Sequence, residues 1–158
     1  MSTHAARRFT IRADFNQFFV QDANADAMTA ASPDFWNARA LNDGLACKRN
    51  TLAIGTASFN DVAVEIEIAS HEPPDGFVDW DQVADCALEI HSGTLSIRSA
   101  TEEPETATRM EIEVRTYRVR VFYGLNADAL GTENRYKIVL WPGEWIEPRV
   151  LKRFDVDE

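Results

Sequence analysis

The side chains that could do chemistry in this chain are mainly carboxylates, and they are concentrated in one stretch. Between Asp61 and Glu105 there are twelve acidic residues and one base, Arg98, whereas the other residues hold fourteen acids and fifteen bases. The net charge of −10 therefore comes from this stretch, which we call the acidic segment. Charge of one sign concentrated on a fold produces a directional field, which favours basic partners or cations.

A metal site is the first chemistry that these carboxylates could provide. Asp75, Asp79 and Asp81 lie close together in the sequence, and hard oxygen ligands of this kind suit Ca²⁺. The ligand order of an EF-hand is absent, because Phe77 and Trp80 interrupt the acidic positions. The sequence therefore predicts no metal and no cofactor.

Catalytic motifs are not evident in the sequence. Glycoside hydrolysis needs two carboxyl groups ~5–10 Å apart, but a chain with 26 acidic residues produces such pairs by chance. None of His4, His71 and His91 stands beside a nucleophile motif, and neither Gly-x-Ser-x-Gly nor a glycine-rich phosphate loop occurs. We predict a protein that is not an enzyme; a hydrolase whose triad assembles only in space is the remaining alternative.

Composition narrows the class of protein further. A net charge of −10 argues against nucleic-acid binding by phosphate neutralisation, which needs clustered Lys and Arg. No run approaches the ~18 consecutive apolar residues of a membrane span, and 45% of the residues are hydrophobic. These features predict one cytoplasmic domain over residues 1–158 that binds neither nucleic acid nor membranes. Cys47 and Cys86 are predicted to be buried free thiols.

The elements that must position these groups are mostly strands. Apolar and polar residues alternate with period two, which is typical of half-buried strands. The alternating stretches are Phe9–Ala13, Asp61–Ile68, Asp85–His91, Thr94–Arg98 and Tyr136–Leu140, and Asn16–Gln21 is a further short run with aromatic residues. Ser92-Gly93, between the third and fourth of the alternating stretches, predicts a β-hairpin turn.

Two further features complete the predicted fold. The alternation changes phase between Met110 and Tyr123, which predicts a bulge, corner or tight turn between Glu113 and Thr116. One helix of about ten residues is predicted, with Ser32-Pro33 at its start and Gly44 at its end. Eight or nine short strands and one helix predict an all-β fold, a jelly-roll-like antiparallel β-sandwich.

The acidic positions on the predicted strands share the parity that faces away from the core, and the others lie in two loops, residues 72–81 and 102–105. We predict that they form a partner-binding surface with Trp80 as a possible anchor, since Trp often dominates binding at interfaces. The acidic residues of this surface are Glu65, Glu67, Asp75, Asp79, Asp81, Asp85 and Glu89.

Three tryptophans and two arginines are further candidates for binding or for structural roles. Trp80, Trp141 and Trp145 are candidate platforms for sugars, although such residues more often pack in the core or at its edge. Arg118 and Arg120 are expected to form ion pairs, either with Glu111 or Glu113 or across strands with Glu65 and Glu67.

Several short segments of the N-terminal half carry a resemblance to a known family. They are Phe15-Asn-Gln-Phe-Phe-Val-Gln-Asp22, Phe35-Trp36, the helix leading to Gly44-Leu-Ala-Cys47, and Asn50-Thr-Leu-Ala-Ile-Gly-Thr56. They resemble a small bacterial family typified by competence protein J, with Asn16 where histidine is usual. The C-terminal half, with Tyr117-Arg-Val-Arg-Val121 and Leu140-Trp-Pro-Gly143, is similar to uncharacterised bacterial β-rich proteins.

The resemblance implies a small cytoplasmic protein that binds and silences a DNA-degrading enzyme. An inhibitor gains by presenting carboxylates where a nuclease would bind phosphates, and such complementarity mainly raises the association rate and the specificity. The predicted function is a non-catalytic inhibitor or immunity-type partner of a basic protein such as a nuclease. A β-sandwich that binds a small ligand or a carbohydrate is the alternative, and its binding would respond little to salt.

Overall fold

The computed structural model describes residues 5–26, 28–74, 76–103, 106–125 and 134–153. Within them, eleven strands and two short helices are formed, against the eight or nine strands and one helix expected. The strands are β1 Ala5–Arg12, β2 Gln17–Asp22, β3 Leu45–Lys48, β4 Thr51–Gly55, β5 Asp61–Ile68, β6 Gln82–Ile90, β7 Thr94–Ser99, β8 Thr108–Glu111, β9 Arg115–Gly124, β10 Arg135–Pro142 and β11 Arg149–Lys152, and the helices are α1 Met28–Ala31 and α2 Ala38–Asp43.

The strands form two sheets that pack face to face, so the predicted all-β sandwich is confirmed. Sheet A has the order β1-β5-β10-β9-β6-β11 and sheet B the order β3-β4-β2-β7-β8. All pairs are antiparallel except β5 with β10, which run parallel with Ile66 opposite Ile138. The alternate side chains that face between the sheets, such as Phe18 and Val119, are fully buried.

The hairpin predicted at Ser92-Gly93 is wrong, because the turn carries the chain from one sheet to the other. The β6 strand before it belongs to sheet A, and the β7 strand after it belongs to sheet B. The buried carboxylate of Asp22 holds this corner: it accepts hydrogen bonds from the backbone N–H groups of His91 (2.7 Å) and Ser92 (3.2 Å) and from the Ser92 hydroxyl. Burial alone would raise the pKa of Asp22, but these hydrogen bonds outweigh it and lower that pKa.

The phase change between Met110 and Tyr123 is confirmed as a second corner between the sheets. The β8 strand lies in sheet B and β9 lies in sheet A, and residues 112–114 connect them without strand structure. Met110 and Tyr117 have opposite parity, yet both are buried in the same core. Each faces inward from its own sheet, which explains the break in the pattern.

The start predicted for the helix is wrong and its end is confirmed. Asn37, not Ser32, begins α2, because its side-chain oxygen accepts a hydrogen bond from the N–H of Ala40 at 2.8 Å. Gly44 ends the helix in a left-handed conformation with φ of 69°, a position that suits glycine. Neither helix in the described part of the chain is long and apolar enough to cross a membrane.

The two cysteines are free thiols, as predicted, but only Cys86 is fully buried. Cys47 is partly exposed, and its Sγ donates a hydrogen bond to the carbonyl oxygen of Ala87 at 2.9 Å. A hydrogen bond with Cys47 and burial raise the pKa of Cys86 well above its ordinary value. The thiol of Cys86 is therefore kept protonated inside the sandwich.

Candidate functional site

The outer face of sheet A, which points away from sheet B, carries most of the predicted site. Strand pairing aligns Glu67, Val139, Arg120, Asp85 and Arg149 in one row across β5, β10, β9, β6 and β11. The acids in this row belong to the acidic segment, whereas the bases come from strands outside it. The outer face therefore carries both negative and positive side chains.

Asp85 is the most constrained carboxylate of this face. It is fully buried, and Arg120 donates two hydrogen bonds to it, from Nε at 2.8 Å and from Nη2 at 2.9 Å. Arg118 and Arg149 approach the same carboxylate at 3.7 Å and 3.9 Å. The hydrogen bonds with Asp85 raise the pKa of Arg120. The outward parity expected for Asp85 is correct, but its expected exposure to a partner is wrong because neighbouring side chains cover it.

Aromatic rings pack against the arginines that bind Asp85. The centre of the Arg120 guanidinium lies 5.3 Å from the ring of Trp141 and 5.5 Å from that of Phe77, and Arg118 lies 5.8 Å from Trp141. Arg120 Nη1 and Arg118 Nε have no hydrogen-bond acceptor within the described ranges, and the negative ring faces compensate in part. Trp141 is buried beneath these arginines, so its ring does not offer an open platform for a sugar.

The other acidic residues predicted on strands each lie near a base from outside the acidic segment. They are only partly exposed, with side-chain exposures of 26% for Glu65, 18% for Glu67 and 26% for Glu89. The nitrogen–oxygen distances are 3.4 Å from Arg8 to Glu65, 3.7 Å from Lys137 to Glu67 and 3.7 Å from Arg49 to Glu89. Arg118 and Arg120 pair with Asp85. The pairing with Glu65 and Glu67 that the sequence suggested is therefore wrong.

The acidic loop, residues 72–81, lies across the outer face of sheet A between β5 and β6; Asp75 falls outside the described residues. Its backbone is held by two cations. Lys152 Nζ donates to the carbonyl oxygens of Phe77 at 3.0 Å and Trp80 at 2.7 Å, and Arg135 Nη2 donates to that of Asp79 at 3.0 Å. These contacts fix the path of the loop over the sheet.

Trp80 also holds the loop to the sheet. Its ring packs at 5.6 Å from that of Phe122, and the guanidinium of Arg135 lies 4.0 Å above it. Trp80 is half-buried as a result. The indole therefore supports the loop, with only part of its surface exposed.

The outward side of the acidic loop combines an apolar residue with carboxylates. Val78 is 85% exposed. Asp79 beside it is also exposed, and the Glu72 side chain is 59% exposed while bonded to Arg120 at 3.0 Å. Asp81 is partly buried and accepts a hydrogen bond from the N–H of Leu125 at 2.8 Å. Val78 and Asp79 are thus both open to solvent.

An unexpected cavity of about 700 Å³ opens at the end of the sandwich near the start of β6. We call it the end cavity; it is lined among others by Phe15, Trp36, Leu41, Gln82 and Tyr123. The sequence pattern does not predict it, although Phe15-Asn-Gln and Gly44 belong to the segments that carry the family resemblance. Their convergence depends on tertiary structure that periodicity does not reveal.

The two-sheet arrangement is similar to that of solved proteins. ComJ from Bacillus subtilis, described as an inhibitor of the DNA degrading activity of NucA, superposes with a TM-score of 0.69 over 90% of this chain and 99% of ComJ, at 12% sequence identity. The chain has the fold of ComJ. A second structure, described as crocagin biosynthetic gene J, gives a TM-score of 0.60 at 16% identity with the same coverage. The chain matches no protein-family model and none of the curated proteins.

Within this ComJ-like fold, the predicted site residues fall in separate places. Glu65 and Glu67 lie on β5, and the acidic loop with Asp79 and Asp81 follows that strand. Glu89 lies near the far end of β6, opposite Thr116, whereas the loop joins β6 at its start. Among the residues that the structure describes, no group of three or more His, Cys, Asp and Glu side chains has the arrangement of a metal site.

Proposed function

We propose that this protein is a non-catalytic inhibitor that docks on a basic protein, such as a nuclease, through the acidic loop. The observation that carries the proposal is that the loop is fixed to sheet A while Val78, 85% exposed, and Asp79 point outward. A loop that is already ordered loses little conformational entropy on binding, so more of the contact energy contributes to affinity.

The chemistry of the loop suits a cationic surface. Val78 supplies an apolar contact, and the exposed carboxylate of Asp79 beside it can take the place of a phosphate in a positively charged channel. Complementary charge accelerates association and rejects partners of the wrong sign. The inhibition of NucA by the fold neighbour ComJ supports the same kind of partner for this chain.

The proposed surface is narrower than the one predicted from the sequence. Asp85 is fully buried and is left out. Glu65 and Glu67 already have basic neighbours, so we assign them a supporting role at the edge of the surface. Asp81 and Trp80 shape the loop, and Glu89 lies apart from it.

The test compares two charge reversals inside the acidic segment. Asp79→Lys alters the loop, whereas Glu103→Lys makes the same change at an exposed acid beyond β7, in the connection to β8 of sheet B. Basic nucleases purified from the source cell are titrated with each protein at low and physiological salt, and DNA degradation is measured. We expect wild type and Glu103→Lys to inhibit one nuclease at low salt, and Asp79→Lys to inhibit it about tenfold less, a loss of ~1.4 kcal/mol.

Salt provides the second part of this test. Inhibition by wild type should weaken as salt rises, because exposed charges are screened over ~8–10 Å. Val78→Ser should weaken binding at every salt concentration, since it removes the apolar contact. Equal inhibition by Asp79→Lys and Glu103→Lys would reject the loop as the interface, and inhibition of no nuclease would reject the proposed partner.

A further inference from the structure

The end cavity has the dimensions and the lining of a small-molecule site. Its volume of about 700 Å³ falls within the ~300–1,000 Å³ typical of such sites. Phe15, Trp36 and Leu41 contribute to its wall, and Phe15 and Leu41 are 75% and 68% exposed. Large apolar side chains so exposed around a concave opening provide contacts for the apolar body of a ligand.

Hydrogen bonds fix the inner part of this cavity. The hydroxyl of the buried Tyr123 donates to the carbonyl oxygen of Gly44 at 2.8 Å, and Gln82 Nε2 donates to that of Asp43 at 2.7 Å. The N–H of Gly55 also donates to the Gly44 oxygen, at 3.0 Å. These contacts tie the end of α2 to β4, β6 and β9, so the cavity is formed before a ligand arrives.

The charge inside the cavity is already neutralised. Asp43 is the one acidic or basic residue that lines it within the described part of the chain. Its Oδ1 lies 2.9 Å from Arg153 and its Oδ2 lies 3.3 Å from Arg39. A charged ligand would therefore lose its hydration without finding an unpaired charge in return.

Neutral hydrogen-bonding groups remain available at the wall. Gln17 accepts a hydrogen bond from Trp36 Nε1 at 2.8 Å, which leaves its own NH₂ group without an acceptor within the described ranges. Asn16 Nδ2 donates to the carbonyl oxygen of Thr56 at 3.3 Å, which leaves Asn16 Oδ1 without a donor among the same residues. One donor and one acceptor from adjacent residues can thus bind an uncharged polar group.

The backbone that presents these amides is strained. Phe15 and Asn16 have φ angles of 60° and 58°, in the left-handed region that non-glycine residues rarely adopt. Two backbone hydrogen bonds hold this conformation. The N–H of Asn16 donates to the carbonyl oxygen of Ala13 at 2.9 Å, and the carbonyl oxygen of Asn16 accepts from the N–H of Thr56 at 2.9 Å. Strain of this kind occurs preferentially at ligand sites, and here it places Phe15 at the opening.

We propose that the end cavity binds an uncharged, amphipathic small molecule. Its flat apolar body lies against Phe15, Trp36 and Leu41, and its neutral polar group bonds to the side-chain amides of Asn16 and Gln17. This binding is independent of the acidic loop and does not rest on the inhibitor function.

The first experiment uses N-phenyl-1-naphthylamine, an uncharged aromatic amine whose fluorescence rises in apolar surroundings. We expect saturable one-to-one binding to the full chain. Leu41→Asp should raise the dissociation constant at least about tenfold, whereas Val114→Asp should leave it unchanged. Val114 is a matched control, because it is 61% exposed and precedes β9 at the opposite end of the sandwich. No saturable binding, or equal loss in both variants, would overturn the proposal.

A second experiment tests the preference for uncharged ligands. N-acetyltryptophanamide and N-acetyltryptophan differ mainly by the negative charge of the acid, and each is used to displace the bound amine. We expect the amide to displace it at concentrations about tenfold lower, and equal displacement would overturn the assigned ligand class. Asp79→Lys should bind the amine like wild type, so that a failure of this proposal is distinguishable from a failure of the inhibitor function.

Discussion

Asp85 and Asp79 belong to the same acidic segment but lie in regions of opposite character. Asp85, on strand β6, is fully buried and is approached by three arginines, whereas Asp79, in the acidic loop, is exposed. The difference shows that charge density along a sequence does not give charge density on a surface. Strand pairing brings bases from distant parts of the chain to the strand carboxylates, while the loop carboxylates still face solvent.

The largest expected change in the free energy of unfolding follows the replacement of the buried Asp85. Asp85→Ala should lower the free energy of unfolding by ~3–5 kcal/mol, because it removes the buried counter-ion of Arg120 and leaves only the largely exposed Glu72 to pair with it. Urea unfolding with an unchanged m-value measures the loss, and Glu103→Ala is the exposed control. A loss below about 1 kcal/mol would mean that Asp85 is not a structural group and would remove the contrast with Asp79.

Asp22 extends the comparison to a buried carboxylate outside the acidic segment. Asp22→Asn should cost ~2–3 kcal/mol, since it weakens charge-assisted hydrogen bonds to the corner at His91 and Ser92. The folded-state pKa lies below the ordinary value of 3.8, so the carboxylate stabilises the fold fully above pH 3.8 and this contribution is lost as pH falls through the folded pKa. Unfolding measured from pH 6 downward should show a steeper loss for wild type than for Asp22→Asn; equal slopes would contradict the assignment.

The partly exposed ion pairs should give much smaller effects. Lys137→Ala removes the base that lies 3.7 Å from Glu67, and we expect a change of ~0.2–1 kcal/mol in the free energy of unfolding. The change should shrink in high salt, because exposed charges are screened. A salt-independent loss above about 2 kcal/mol would indicate that packing of the Lys137 stem, and not its charge, is responsible.

Asp79→Lys should have the smallest effect on stability. The side chain is exposed, and the backbone carbonyl that holds the loop to Arg135 is retained. We expect the free energy of unfolding to change by less than about 0.5 kcal/mol while inhibition of the partner falls. Thermal unfolding measures the first quantity. A large destabilisation would show that the loop carboxylate is structural like Asp85.

Alternation was sufficient to predict the fold class and several strands. It gave β5 and the break between β8 and β9, because the two faces of a strand in a sandwich differ in polarity. It did not distinguish the corner at Ser92-Gly93 from a hairpin. The group that decides this, Asp22, is distant in the sequence and acts through a buried hydrogen-bond network.

The candidate site was predictable only in part for a related reason. Parity correctly placed Asp85 on the outer side of its strand, but parity does not reveal what covers that side. The end cavity depends on the strained backbone at Phe15 and Asn16 and on its closeness to α2. Neither leaves a periodic signal in the sequence.

The parallel pairing of β5 with β10 has a consequence for how the chain acquires its structure. A ribosome that has released residues up to Glu111 has provided every strand of sheet B, but only β1, β5 and β6 of sheet A. Strand β5 cannot pair through Ile66 with Ile138 until β10 has been synthesised. Strand β6 likewise remains separate from β1 and β5 until β9 and β10 are available to lie between them. Such long-range pairing slows folding to roughly milliseconds to seconds, so the nascent chain carries unpaired strand edges that favour chaperone binding or aggregation until β9 and β10 emerge.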